Sequence, residues 1–204
     1  KAIHHLVEVA EGSVFVGGVD VTKVELDELR KRVGFVPQDD FLFATAVFDN
    51  IAYGQPDATR DKVDEAARTA GLLVDLESLP DGLDTLVGER GATLSGGQRQ
   101  RVAVARAILI DAPILLLDNA LSNVDAETER KILDGLRANV ARDSGRTLVV
   151  VSNRIGAIQD ADRIYVMDEG RIVDHGSHAE LIQHPGLYAN MFEQQRLSTE
   201  LEQF

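Results

Sequence analysis

The chain contains no cysteine and no tryptophan, and aromatic residues make up only 5% of its 204 positions. Without cysteine there are no disulfide bonds and no thiolate-held metals. Positive charge is scarce as well: 21 Lys and Arg stand against 34 Asp and Glu, a net charge of -13. That balance excludes nucleic acid as the main partner. It leaves room for a small phosphate ligand, which backbone dipoles and one metal ion hold even in an acidic protein. No apolar run approaches the ~20 residues of a membrane span, and no secretory signal pattern is visible. No Gly-x-x-x-x-Gly-Lys-Ser/Thr run occurs, so the backbone cradle and lysine of a P-loop are missing. What remains is 44% apolar and 27% charged, an ordinary globular composition of a length suited to one α/β domain with a substantial core.

The pattern along the chain alternates strands and helices. Ser13 to Val16, Val33 to Val36, Ile114 to Leu117, Thr147 to Val151, Arg163 to Met167 and Arg171 to Val173 read as strands. Leu26 to Arg32, Val47 to Tyr53, Thr59 to Ala70, Ser95 to Ile110, Ala126 to Arg142, Ala179 to Gln183 and Leu187 to Leu201 read as helices. Such alternation predicts an α/β sheet with helices on both faces. The run Ile114 to Leu117 after Pro113 predicts a parallel strand buried on both sides. The almost wholly helical block 47–109 reads as an insertion, leaving 1–46 and 110–204 as the sheet core.

The most informative stretch is Leu94-Ser95-Gly96-Gly97-Gln98-Arg99-Gln100-Arg101-Val102-Ala103-Val104-Ala105-Arg106-Ala107. Ser95 stands where an N-cap satisfies a free N–H at a helix start. Gly96 and Gly97 carry no Cβ, so an anion is expected to approach the backbone closely, drawn by the N–H groups and the dipole of the helix. Ser-Gly-Gly alone is also common in flexible loops. The full run resembles the signature motif of ABC ATPases, which in that family closes over the γ-phosphate of ATP bound to a partner chain.

Other segments extend the resemblance over essentially the whole chain, to about Gln195. Ile114-Leu115-Leu116-Leu117-Asp118 is similar to the Walker B strand, which implies that Asp118 orients Mg²⁺. Pro37-Gln38 resembles the Q-loop, implying a glutamine that reaches Mg²⁺ and the attacking water. Asp49-Asn50-Ile51-Ala52-Tyr53-Gly54 and Thr85-Leu86-Val87-Gly88-Glu89-Arg90-Gly91 look like the post-Q-loop segment and the X-loop of exporters, both of which face a transmembrane partner. Gly88 to Gly91 also reads as a plain polar loop. Ala120 to Asp125 resembles the D-loop, although Ser122 and Asp125 equally suit N-caps of the helix from Ala126. The resemblance therefore implies a P-loop NTPase-like α/β core with a helical subdomain. It also implies ATP and Mg²⁺ as ligands, a second nucleotide-binding domain as partner, and a place at the cytoplasmic face of the plasma membrane, this segment itself being soluble. His178 falls at a surface helix start and reads as structural, while His4, His5, His175 and His184 show no ligand spacing with one another and read as exposed or capping.

Three departures qualify the match. Lys1 to Val14 resembles the helix and strand that lie just after a P-loop in the family, so the chain is expected to be a fragment lacking the N-terminal strands and the loop itself. Asn119 stands where the family has its catalytic carboxylate, and an amide has no useful basicity; loss of a general base costs about 10²–10⁴-fold in rate. Asn153 stands where the family has its switch histidine. Together these imply the degenerate half of a heterodimeric exporter: Ser95, Gly96, Gly97 and Gln98 would serve the partner's ATP, with Asp125 crossing to it. Two other readings stay open: a homodimeric ABC ATPase with a mutated carboxylate, and a non-enzymatic interaction domain that has lost its P-loop.

Overall fold

The computed structural model describes residues 2–4, 6–39, 41–142 and 145–201. The chain divides into two compact units, Lys1–Val151 and Ser152–Phe204.

In the first unit, β1 (Phe15–Val16) and β2 (Val19–Asp20) pair antiparallel. Gly17 and Gly18 join them at φ 58° and 79°, the doubly left-handed turn that two-residue hairpins favour. The predicted strand from Ser13 is thus shorter, and its partner β2 is too short to show alternation in the sequence. Helix α1 (Leu26–Arg32) buries only Leu29 and leads straight into β3 (Val33–Val36). This strand joins β4 (Ile114–Asp118) and β5 (Thr147–Val151) in a parallel sheet of order β3-β4-β5. Val36 pairs with Leu117, and Asp118 with Val151. Burial along β4 is complete only at Leu116 and Leu117, towards the carboxyl end; Ile114 and Leu115 are half-buried. The expectation of two fully covered faces therefore holds for half the strand.

The helical segment lies within this unit. It comprises α2 (Val47–Ala52), α3 (Arg60–Thr69), α4 (Leu73–Ser78) and, after two 3₁₀ turns, α5 (Gly96–Leu109). Helix α3 buries Val63, Ala66 and Ala67, one stripe at helical spacing, and both α2 and α3 pack on α5. Helix α5 in turn lies against β3, where a Cβ on Gly34 would stand 3.1 Å from the Ala107 carbonyl oxygen. A short antiparallel bridge pairs Ala46 with Leu86. The Val47 N–H donates to the Thr85 carbonyl and the Val87 N–H to the Thr45 carbonyl, at 3.0 and 2.8 Å. This bridge ties the two exporter-like segments together. Helix α6 (Ala126–Arg142) supplies the buried Ile132, Leu133 and Leu136 before β5.

The second unit holds α7 (Ile155–Ile158), an antiparallel hairpin of β6 (Ile164–Asp168) and β7 (Arg171–Gly176), α8 (His178–Leu181) and α9 (Leu187–Leu201). Its small core is Ile155, Ile164, Val166, Leu181 and Tyr188. Ser177 caps α8 in a reciprocal box with Glu180. His178 Nδ1 lies 2.8 Å from the Tyr188 hydroxyl, a structural role as expected. Among the described residues, no helix is long and apolar enough to cross a membrane.

Candidate functional site

A parallel sheet gathers ligand-binding residues at the carboxyl ends of its strands. Asp118 is the last residue of β4 and half-buried, and Gln38 stands two residues past β3 and is exposed. Because β3 and β4 are adjacent with Val36 opposite Leu117, both stand at the same edge. Asn119 comes next after Asp118. Its φ is 51°, the left-handed region that asparagine tolerates better than most side chains. Its N–H donates to the Val151 carbonyl at 2.9 Å, so the backbone there is pinned to the end of β5.

A second cluster forms around the start of α5. Ser95 Oγ accepts the Gln98 N–H at 3.2 Å, and Gln98 Oε1 accepts the Ser95 N–H at 2.8 Å. This is a complete capping box, satisfying two orphan donors of the helix start. At Gly97 the missing Cβ has a use the sequence did not show. A Cβ on Gly97 would stand 3.1 Å from the Asn123 carbonyl oxygen, and one on Gly96 3.5 Å from Asn123 Cβ. Gly97 lets the helix start press on the loop between β4 and α6, while a Cβ on Gly96 would make only an ordinary contact.

That loop is also held from inside. Gln100 is fully buried; its Nε2 donates to Ser122 Oγ at 3.2 Å and its Oε1 accepts the Asn123 N–H at 2.9 Å. Asp125 caps α6, accepting the Thr128 N–H at 2.9 Å. That bond is the main cause holding its carboxyl below the usual range. Ser95, Gly96 and Gly97 thus share one neighbourhood with Ser122 and Asn123. Among the described residues, no hydrogen bond joins the signature turn to Gln38, Asp118 or Asn119. Asn153 belongs to the second unit. It is exposed, and its carbonyl accepts Gln195 Nε2 at 2.7 Å, while Gln195 Oε1 takes the Ile155 N–H at 2.8 Å.

The sequence gives little sign of what three further residues do. Asn50 is fully buried and grips the segment after Gln38: its Oδ1 accepts the Phe43 N–H, and its Nδ2 donates to Phe43 and Ala46 carbonyls and to Thr45 Oγ1. Arg106 reaches this hub from α5, donating to the Asn50 carbonyl at 2.7 Å, Asn50 Oδ1 at 3.1 Å and the Phe41 carbonyl at 3.0 Å. Asp75 pairs with Arg101. An Arg among the apolar positions of α5 was the only signal available. His4, expected to be exposed or capping, is half-buried, with Nε2 2.8 Å from the Val33 carbonyl oxygen. His5 lies outside the described residues. Among those, no group of three His, Cys, Asp or Glu is placed to hold a metal by itself.

Comparison with known proteins agrees with this picture. The sequence profile described as ABC transporter matches residues 1–122. The chain is 44% identical over 189 residues to a probable multidrug resistance ABC transporter ATP-binding/permease protein, YheI, of Bacillus subtilis (strain 168), covering 93% of this chain and 32% of that protein. It is 48% identical over 185 residues to the ATP-dependent lipid A-core flippase of Chromohalobacter salexigens, covering 91% and 31%. The chain therefore spans about a third of the length of these relatives. Among solved structures, a bacterial Atm1-family ABC exporter with ATP bound superposes with a TM-score of 0.83 at 44% identity, over 89% of this chain and 31% of that one. By profile, sequence and fold together, the chain belongs to the ABC transporter family, as an ATP-binding domain of the exporter kind.

Proposed function

We propose that this domain works in an ABC exporter as the subunit whose own nucleotide site is degenerate and whose signature turn completes the site of a partner subunit. The observation that carries this reading is the pairing of an intact, fully capped signature turn at Ser95–Gln98 with amides at positions 119 and 153. The signature turn makes no hydrogen bond to the Asp118 edge among the described residues, in keeping with service to another chain.

The residues present fit Mg²⁺ held together with a nucleotide's phosphates, although the cradle and lysine of a P-loop are not among them. Mg²⁺ in nucleotide sites is held by one or two carboxylates together with phosphate oxygens and water. A lone carboxylate at the end of β4, Asp118, suits that demand, and Gln38 stands at the same sheet edge. Mg²⁺ supplies neutralisation of the phosphate charge. Asp118 would hold it, Gln38 would add a polar side chain from the same sheet edge, and Asn119 would offer an amide that does not take up a proton from water. The N–H groups of Gly96 and Gly97, first in the helix, have no partner within it, and with the Ser95 hydroxyl they would hold the partner's γ-phosphate. The helical segment 47–109 carries that turn, and the bridged strands at Ala46 and Leu86 face the transmembrane domain. The domain then sits on the cytoplasmic face of the membrane.

The test is steady-state ATP hydrolysis by the full-length subunit alone and with its partner. Activity is expected only in the mixed assembly, and restoring the carboxylate and imidazole with Asn119→Glu and Asn153→His is expected to raise it. Robust turnover by the unmodified subunit on its own refutes the degenerate reading.

A further inference from the structure

Asp75, on α4, stands beside the first turn of α5 and has no part in the proposed function. Its Oδ2 accepts Arg101 Nε at 2.6 Å and its Oδ1 accepts Arg101 Nη2 at 2.8 Å. This two-point pair is well shielded, the side chains being 15% and 12% exposed. Oδ1 also faces Gln98 Nε2 at 3.4 Å, while the other end of that amide accepts the Ser95 N–H. Only one orientation of the Gln98 amide suits both neighbours: amino group to the carboxylate, carbonyl oxygen to the N–H. Arg101 Nη1 lies 3.2 Å from where a Gly97 Cβ would stand, so the ion pair flanks Gly97 too. One N–H and one lone pair of the Gln98 amide are thus engaged within the chain.

We propose that Asp75 is a positioning residue for the partner's nucleotide: through Gln98 and Arg101 it sets the first turn of the signature helix. This rests on the reading of Ser95–Gly97 as the turn lent to the partner's ATP. That turn offers the phosphate the Ser95 hydroxyl, which accepts from Gln98 and keeps its own proton to donate, and its free N–H groups. A small error in their placement is costly in rate, because alignment at the reacting phosphate is lost while ground-state contacts survive.

The test is ATP hydrolysis by the full-length transporter purified from its native membrane, with kcat and KM for ATP measured separately. Gln98→Ala is expected to lower kcat about tenfold with KM changed by less than about twofold. Asp75→Ala is expected to do the same, and the double variant to be no worse than either single one. Asp75→Asn, which keeps an acceptor for Gln98, is expected to restore most of the turnover. A Gln98→Ala protein whose KM rises about tenfold at unchanged kcat, or a double variant whose losses multiply, overturns the proposal, since Gln98 then binds nucleotide directly. If Asp75→Ala does not fold, the kcat-against-KM split of Gln98→Ala, which leaves the ion pair whole, decides alone. A native transporter that hydrolyses ATP unaffected by either change sinks the proposal only. One that neither binds nor hydrolyses ATP sinks the functional reading and this proposal together.

Discussion

Gln100 holds Asn123 by its backbone: the buried side-chain oxygen accepts the Asn123 N–H at 2.9 Å, from the middle of a helix into the loop after β4. With Ser122 Oγ on the amino end, this one amide fixes where the loop before α6 lies against the signature turn. Gln100→Ala leaves the part-buried Asn123 N–H without its acceptor, and such a loss costs about 1 kcal/mol. Gln100→Glu keeps an acceptor for Asn123 but puts a carboxyl group into a fully buried site, and is expected to cost more than Gln100→Ala. Urea unfolding of the three proteins, compared at constant m-value, measures both differences.

The left-handed backbone at Asn119 predicts a conflict between stability and restored chemistry. Asparagine sits at φ 51° at a lower cost than glutamate does. Asn119→Glu is therefore expected to lower the stability of the domain by about 1 kcal/mol, even where it raises hydrolysis. Asn119→Gly, which removes the Cβ, is expected to be neutral or slightly stabilising in the folded backbone. Thermal unfolding of the two variants beside the parent gives the order.

Arg106 forks onto Asn50 and Phe41 with three hydrogen bonds and lies over the Phe43 and Tyr53 rings, 5.8 Å from each centroid. Lysine offers a single point charge and no planar fork. Arg106→Lys is expected to lose about 1–3 kcal/mol and to make the 41–53 segment more readily cut by protease, with the sheet core still folded. Limited proteolysis with mass mapping of the first cuts checks this; cuts spread evenly over the chain rule it out.

The pH dependence of stability is expected to show Asp20. This buried carboxylate accepts the Thr22 N–H at 3.0 Å, the Gly12 N–H at 2.6 Å and the Thr22 hydroxyl at 2.9 Å. The Thr22 N–H is the largest cause, with that of Gly12 second, of a pKa held below the usual value. A carboxyl depressed in the folded state binds its proton more readily when unfolded. Its stabilisation is therefore complete above the unfolded pKa of about 3.9 and fades as pH falls through the lower folded value. Asp20→Asn removes this dependence, so the stability gap between parent and variant is expected to be constant from pH 7 to about 5 and to narrow below about 4. Denaturation midpoints across that range give the answer, and a gap that widens on acidification contradicts it.

The strands that make the parallel sheet and the helices α1, α5 and α6 were legible because each carries its own signal: an unbroken apolar run, a period near 3.6, a capping serine. The order β3-β4-β5, the placement of Gln38 and Asp118 at one edge, and the bridge between Ala46 and Leu86 needed the fold, since they join residues far apart in sequence. Helices α4 and α7, short and without a capping side chain at their starts, went unread. Ser95 announced its capping role locally, because a cap acts within three residues. The neighbour that uses the space at Gly97, and the roles of Gln100, Arg106 and Asp75, depend on partners 20 or more positions away. By itself, then, the sequence determined which elements form and which chemical groups stand at their ends. Tertiary structure alone decided which of those groups meet, because a hydrogen bond or an ion pair is set by distance in space, and residues remote in the chain gain that distance only when the core packs.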